Sequence, residues 1–153
     1  DAGTCSRHAL MRAALWAMDT LTAEQRSERM SRVRGRDTKP ELLVRRLAHG
    51  LGYRFRLHRR DLPGTPDLVF PRRSKVIFVH GCFWHRHSDP DCRLARLPKS
   101  KLDFWLPKLE TNRKRDDVNL ARLADLGWDV LVIWECQTRD RDVLEARILE
   151  FLQ

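Results

Sequence analysis

Apolar residues recur along this chain in two periods. Leu42, Leu43, Leu47 and Leu51 fall at the spacing of a helix with one buried stripe. Ahead of them, Thr38-Lys-Pro-Glu41 has the form of a capping box with Pro in the first turn, and Gly50 and Gly52 mark the end. A longer amphipathic segment runs from about Asp103 to Leu126 and stops at Gly127, with Pro107 in its first turns or kinking it. Asp140 to Leu152 reads as a closing helix. Between these lie strand-like segments. Tyr53 to His58 alternates aromatic and basic side chains, as a half-exposed strand does. Asp67 to Phe70 and Lys75 to Val79 are β-rich runs joined by the turn-like Pro71-Arg-Arg-Ser74. Val76-Ile-Phe-Val79 and Asp129 to Glu135 are apolar on both faces, the pattern of central buried strands.

The N-terminal region is different. Thr22-Ala-Glu-Gln25 also forms a capping box, predicting a helix through about Arg34, but that helix carries Arg26, Arg29, Arg32 and Arg34 and few apolar residues. It is either a solvated arm or one that lies on DNA, and the second is favoured. Residues 1–17 show no clear pattern, and Met18 is a natural start. The expected organisation is a tail (1–17), a basic helix or arm (18–35) and one α/β domain (36–153), without internal repeats.

Charge sharpens this picture. Lys and Arg outnumber Asp and Glu by 30 to 21, a net charge of +9, which points to a polyanionic partner, nucleic acid ahead of a membrane surface. No apolar run approaches the ~20 residues that span a bilayer. Ala9 to Ala17 is short and interrupted by Arg12, unlike a secretory signal. A cytoplasmic location is expected, and there the four cysteines read as metal ligands rather than disulfides.

Cys82, His85, His87 and Cys92 fall within one short stretch, and Cys136 directly follows a buried strand whose natural neighbour is the strand ending at Val79. Pairing of those strands would set Cys136 beside Cys82. A closed sulfur–nitrogen set suits structural zinc; the alternative is unrelated reduced cysteines and exposed histidines. Cys5 lies apart in the tail. Asp67 begins a strand after Leu62-Pro-Gly-Thr-Pro66. It either caps that turn or offers a carboxylate to magnesium at the sheet's edge. Glu41 is the capping-box acid, a role compatible with supporting such a site. Phe83-Trp84 and Phe104-Trp105 stand in loop-like, basic surroundings; they are ordinary core or aromatic wedges for a base step.

Phe78-Val-His-Gly-Cys-Phe-Trp-His85, with Asp67 thirteen positions before His80, resembles the very-short-patch-repair endonucleases. Arg36-Asp-Thr38 with Glu41, Leu62-Pro-Gly64 before Pro66-Asp67, Phe104-Trp105, Asn112 with Arg115-Asp116, and Gly127-Trp128 leading to Ile133-Trp-Glu-Cys136 extend the likeness in order from about Ser27 to Cys136. The resemblance implies a restriction-endonuclease-like α/β fold, a central mixed sheet flanked by helices with a structural zinc site. It implies magnesium-dependent nicking of one strand of double-stranded DNA 5′ to the thymine of a T:G mismatch, which arises when 5-methylcytosine deaminates. Asp67 would bind Mg2+ with the backbone carbonyl of Val79, and His85 would be the catalytic histidine. His80 and Glu41 would assist, and Asp116 would orient His85. Cys82, His87, Cys92 and Cys136 would hold Zn2+, while Phe83, Trp84 and Trp105 would form the wedge. A bacterial, nucleoid-associated monomer with mismatch-repair and DNA polymerase partners is the corresponding expectation. Two departures stand out. Val79 replaces a hydroxyl residue of some members, although only its carbonyl is needed. The spacer Ser88-Asp-Pro-Asp91 is longer than in some members, leaving Asp89 or Asp91 as competitors of Cys92. A related nickase of other specificity and a catalytically silent zinc DNA-binding module are the rival readings.

Overall fold

A computed structural model describes residues 21–33 and 35–153. The expected tail, Met18 and Arg34 lie outside the described residues. In order, the elements are α1 (Ala23–Ser31), α2 (Lys39–Gly50), β1 (Arg56–Leu57), β2 (Leu68–Phe70), β3 (Lys75–His80), α3 (Leu102–Asp125), β4 (Asp129–Trp134) and α4 (Arg141–Leu152). The strands form one sheet in the order β1-β2-β3-β4. β1–β2 and β2–β3 are antiparallel, whereas β3–β4 is parallel, with Lys75 opposite Asp129 and His80 opposite Trp134. A parallel pair needs a long crossover, and α3 supplies it.

The strand alternation sends side chains to two cores. Leu68, Phe70, Ile77 and Ile133 meet Val44, Leu47 and Ala48 of α2 and Leu144, Ile148 and Leu152 of α4. On the opposite face, Val69, Val76 and Phe78 pack with Leu62 and with Leu123 of α3. A sheet covered on both sides requires apolar residues at consecutive positions, which is what β2 and β3 have. The caps follow the sequence: Thr22 and Gln25 form a reciprocal box, Thr38 accepts from the Glu41 amide, and Asp140 accepts from the Val143 amide. α3 continues through Pro107. None of the described helices is long and apolar enough to cross a membrane.

Two elements are shorter than their patterns predict. α1 ends at Ser31, with Arg32 as its C-cap, because the basic run beyond offers nothing to bury. The 53–58 segment pairs only through Arg56 and Leu57, its partner β2 being three residues long. Its alternation still operates: Tyr53 and Phe55 turn inward and meet Phe70 edge-on at 6.4 and 5.7 Å.

The loop from Leu62 to Asp67 is anchored at Gly64, whose φ is +72°. A Cβ there would stand 3.1 Å from Asn119 of α3 and 3.2 Å from the Phe78 ring. Gly64→Ala is therefore expected to destabilise the protein by about 1–3 kcal/mol through both strain and crowding. A thermal melt unchanged from the parent would refute this packing.

Candidate active site and metal cluster

β3 and β4 end side by side, at His80 and Trp134. Two residues beyond each end stand Cys82 and Cys136, and the Cys136 amide donates to Cys82 Sγ at 3.4 Å. The chain after Cys82 folds back on itself, His85 N–H donating to Gly81 O at 3.1 Å and His87 N–H to Cys82 O at 3.0 Å. This return brings His87 Nδ1 to 3.5 Å from Cys136 Sγ, its ring stacked on Trp134 at 4.3 Å. With Cys92, ligand atoms of the four residues lie within 4.8 Å of one another. Asp89 and Asp91 are exposed, and the Asp89 carboxylate accepts the Asp91 amide, so Cys92 closes the group. Burial pushes the thiols of Cys82 and Cys136 up and holds His87 below the usual imidazole range. Three thiols and one imidazole, two of the four buried, fit a tetrahedral soft cation that displaces thiol protons.

On the other side of the same loop lies a cleft of about 350 Å³ into which Asp67, Val79, His80, His85, Asp116 and Glu41 converge. Asp67 Oδ2 accepts the Val79 amide at 2.7 Å. Burial dominates the carboxyl's environment and pushes it up to about 7; the Val79 N–H opposes this, Glu41 adds to it and Arg45 opposes it. A buried carboxylate with only partial compensation is a place for a hard cation. His85 Nδ1 meets Asp116 Oδ2 at 2.5 Å, which assigns the Nδ1 proton to that contact and leaves Nε2 for other work. His80 lies flat against His85, ring centres 3.9 Å apart and planes within 5°. Burial pushes His80 down to about 3, His85 and Arg115 adding to the effect and Asp116 opposing it. His80 is thus a neutral platform that holds the His85 ring in plane.

Glu41 is 3% exposed and well satisfied. Its Oε2 accepts the Asp37 amide and Arg45 Nη2, both at 3.0 Å, and its Oε1 faces the Thr38 hydroxyl. It therefore borders the cleft at the start of α2, and the expected capping box is only half formed: Thr38 caps the Glu41 amide, while the Glu41 carboxylate takes the Asp37 amide in place of the Thr38 amide. Neither Arg45 nor His58 stood out in the sequence, yet both stand behind Asp67 and Glu41: Arg45 Nη2 is 2.9 Å from His58 Nε2. The one available signal was the Glu41–Arg45 spacing of four.

The two aromatic pairs form one cluster. Phe83 packs on Trp84 at 5.0 Å and on Trp105 at 5.4 Å, and Trp84 reaches Trp105 at 6.1 Å. Phe83 and Trp84 are half-buried in the loop. Trp105 is only 6% exposed, whereas Phe104 beside it is 40% exposed. The Arg26 guanidinium of α1 lies 4.9 Å over the Phe104 ring, so α1 docks on α3 through one of the arginines expected to face outward. Asn112 of α3 donates to Trp84 O at 3.2 Å, tying the loop to the helix.

A mixed sheet flanked by helices, with carboxylate and imidazoles gathered at one end of its strands, defines a restriction-endonuclease-like domain. Residues 18–93 match the family model described as DNA mismatch endonuclease Vsr. The chain is 55% identical over 134 residues to the Type II nicking enzyme V.XorIIP of Xanthomonas oryzae pv. oryzae, covering 88% of this chain and 96% of that one. It is 43% identical over 124 residues to the DNA mismatch endonuclease Vsr of Escherichia coli K12, covering 81% and 78%. With the Type II nicking enzyme V.NmeAIP of Neisseria meningitidis, the identity is 38% over 130 residues, covering 85% and 91%. The chain belongs to the Vsr family and is a DNA endonuclease, as the ordered motifs implied.

The Asp67 carboxyl yields a pH prediction. It lies at about 7 in the folded protein against an ordinary 3.8. Its stabilising contribution is therefore complete below pH ~4 and is lost as pH rises through 7. Asp67→Asn retains an acceptor for the Val79 amide. Without divalent ions it should melt higher than the parent at pH 8, with the gap closing by pH 4. A pH-independent difference between the two melting curves would contradict the assignment.

Proposed function

We propose that the protein nicks one strand of duplex DNA 5′ to the thymine of a T:G mispair, with magnesium at Asp67 and structural zinc at Cys82, His87, Cys92 and Cys136. The observation that carries this reading is the convergence of Asp67 and His85 on one cleft, beneath a loop that begins and ends in the Cys/His cluster. A binding module has no need of a buried carboxylate facing an imidazole, so the catalytically silent alternative is disfavoured.

The roles follow from the contacts. The Val79 amide pins Asp67 Oδ2 and leaves Oδ1 for the cation, with the Val79 carbonyl as a second oxygen. Magnesium, when bound, supplies positive charge to the scissile phosphate and acidifies the attacking water. His85, with Nδ1 engaged by Asp116, moves a proton at Nε2, and the stacked His80 restricts its rotation. Arg36 and Arg115 at the cleft's rim hold the DNA phosphates.

Selectivity for the mispair rests on the aromatic loop. Phe83 and Trp84 are the inserting residues, and Trp105 supports them from the interior. A T:G wobble pair unstacks more readily than a Watson–Crick pair, so a wedge converts weak stacking into preference. Zinc clamps the loop that carries both the wedge and His85. The names of relatives, a mismatch endonuclease and nicking enzymes, support a single-strand cut at a mispair. One active site acting on an asymmetric lesion suits a monomer, and the resulting nick suits hand-over to mismatch-repair proteins and a DNA polymerase.

The test is nicking of labelled duplexes that differ only in a T:G, T:A or C:G pair, in magnesium. Cutting is expected at T:G alone. Trp84→Ala should lower the preference for T:G by roughly 5- to 100-fold, the effect of losing one aromatic–base stack, and reduce matched-duplex binding less. Equal cutting of the three duplexes would remove the mismatch reading and leave a nickase of relaxed specificity.

A further inference from the structure

We propose that His58, held by Arg45, is a positioning residue for Asp67 that orients its free oxygen and strengthens its grip on a divalent cation. This rests on the reading of Asp67 as the cation ligand.

Arg45 projects from α2, its side chain 13% exposed. Its Nε has no hydrogen-bond partner, so the guanidinium is held by its two terminal nitrogens. Nη1 donates to Asp37 Oδ1 at 2.7 Å, and Nη2 lies 3.0 Å from Glu41 Oε2 and 2.9 Å from His58 Nε2. A guanidinium only donates. His58 Nε2 therefore presents its lone pair, and the ring proton resides on Nδ1. That Nδ1 lies 3.8 Å from Asp67 Oδ1, the oxygen the Val79 amide does not hold. The separation exceeds a hydrogen bond: the N–H stands beside Oδ1 without occupying its lone pairs, and so leaves them for a cation.

The same network explains what does not bind there. Asp37, Glu41 and His58 offer ligand atoms within 4.8 Å of one another, a set that could itself hold a metal. The Arg45 guanidinium fills it with a permanent positive charge. The backbone agrees with this specialised role: Asp37 and His58, at two corners of the Arg45 network, both adopt left-handed conformations, with φ of 54° and 46°. Non-glycine residues persist there where surrounding contacts impose the geometry.

The experiment uses the full-length, zinc-loaded protein without DNA and titrates Mn2+ by calorimetry and electron paramagnetic resonance. His58→Leu keeps the bulk but removes donor and acceptor, and should weaken Mn2+ binding by about 10-fold or more, the usual effect of losing a ligand's supporting partner. In His58→Gln, the amide accepts from Arg45 and donates toward Asp67, so its Mn2+ affinity should stay closer to the parent's than to that of His58→Leu. Unchanged binding in His58→Leu, or an equal loss in both variants, overturns the proposal. Asp67→Ala separates the layers: if it binds Mn2+ like the parent, the reading of Asp67 fails. If it loses Mn2+ while His58→Leu does not, only the role of His58 fails. Imidazole nitrogen NMR of the parent protein needs no substitution and should show the Nδ1–H tautomer at His58; an Nε2–H tautomer refutes the network.

Discussion

The parallel pairing of β3 with β4 is the constraint on which the rest depends. Because His80 stands opposite Trp134, both chains leave the sheet at the same level and deliver Cys82 and Cys136 together. The loop from Cys82 to Cys92 then has both ends in one cluster, and it returns His85 over His80. A slip of one residue would invert the faces of β4. It would bury Val130 and Val132 on the wrong side and separate the two cysteines. The apolar alternation that builds two cores is thus also what assembles the chemistry.

The site concentrates groups that burial opposes. Asp67, His80 and the thiols of Cys82 and Cys136 are shifted toward their neutral forms by desolvation, the pattern of groups gathered for a ligand rather than for one another. Glu41 differs because its partners are internal. Three donors from Asp37, Thr38 and Arg45 surround it, so it contributes to the helix start and to the cleft wall at once. Glu41, whose carboxylate takes three internal donors, thus differs from Asp67, whose carboxylate accepts the Val79 amide alone among the hydrogen bonds of the cleft, although the two look alike in sequence.

Much of this was visible in the chain. Val76 to Val79 and Asp129 to Glu135 read as neighbouring buried strands, and this alone predicted Cys136 beside Cys82. The N-caps at Thr22 and Thr38, the first within a full capping box, mark the helix starts, because they depend on contacts within four positions. What escaped was tertiary. No local spacing shows that Arg45 meets His58 thirteen residues later, nor that Arg26 docks on Phe104 across the molecule. Trp105 and Phe104 are adjacent in sequence, and only the packing of α3 decides that Trp105 is the interior one. The two-residue β1 likewise reflects the short partner it pairs with, not its own pattern.

The central proposal is that zinc bound at the Cys/His cluster holds the loop that sets His85 against the cleft. Amide hydrogen exchange of the zinc-loaded and zinc-stripped protein tests it directly. The amides of His85 and His87, which donate to Gly81 O and Cys82 O, should be protected with zinc and exchange rapidly without it, while Val76 to Val79 of β3 remain protected in both. Protection of His85 and His87 that survives zinc removal unchanged would contradict the account.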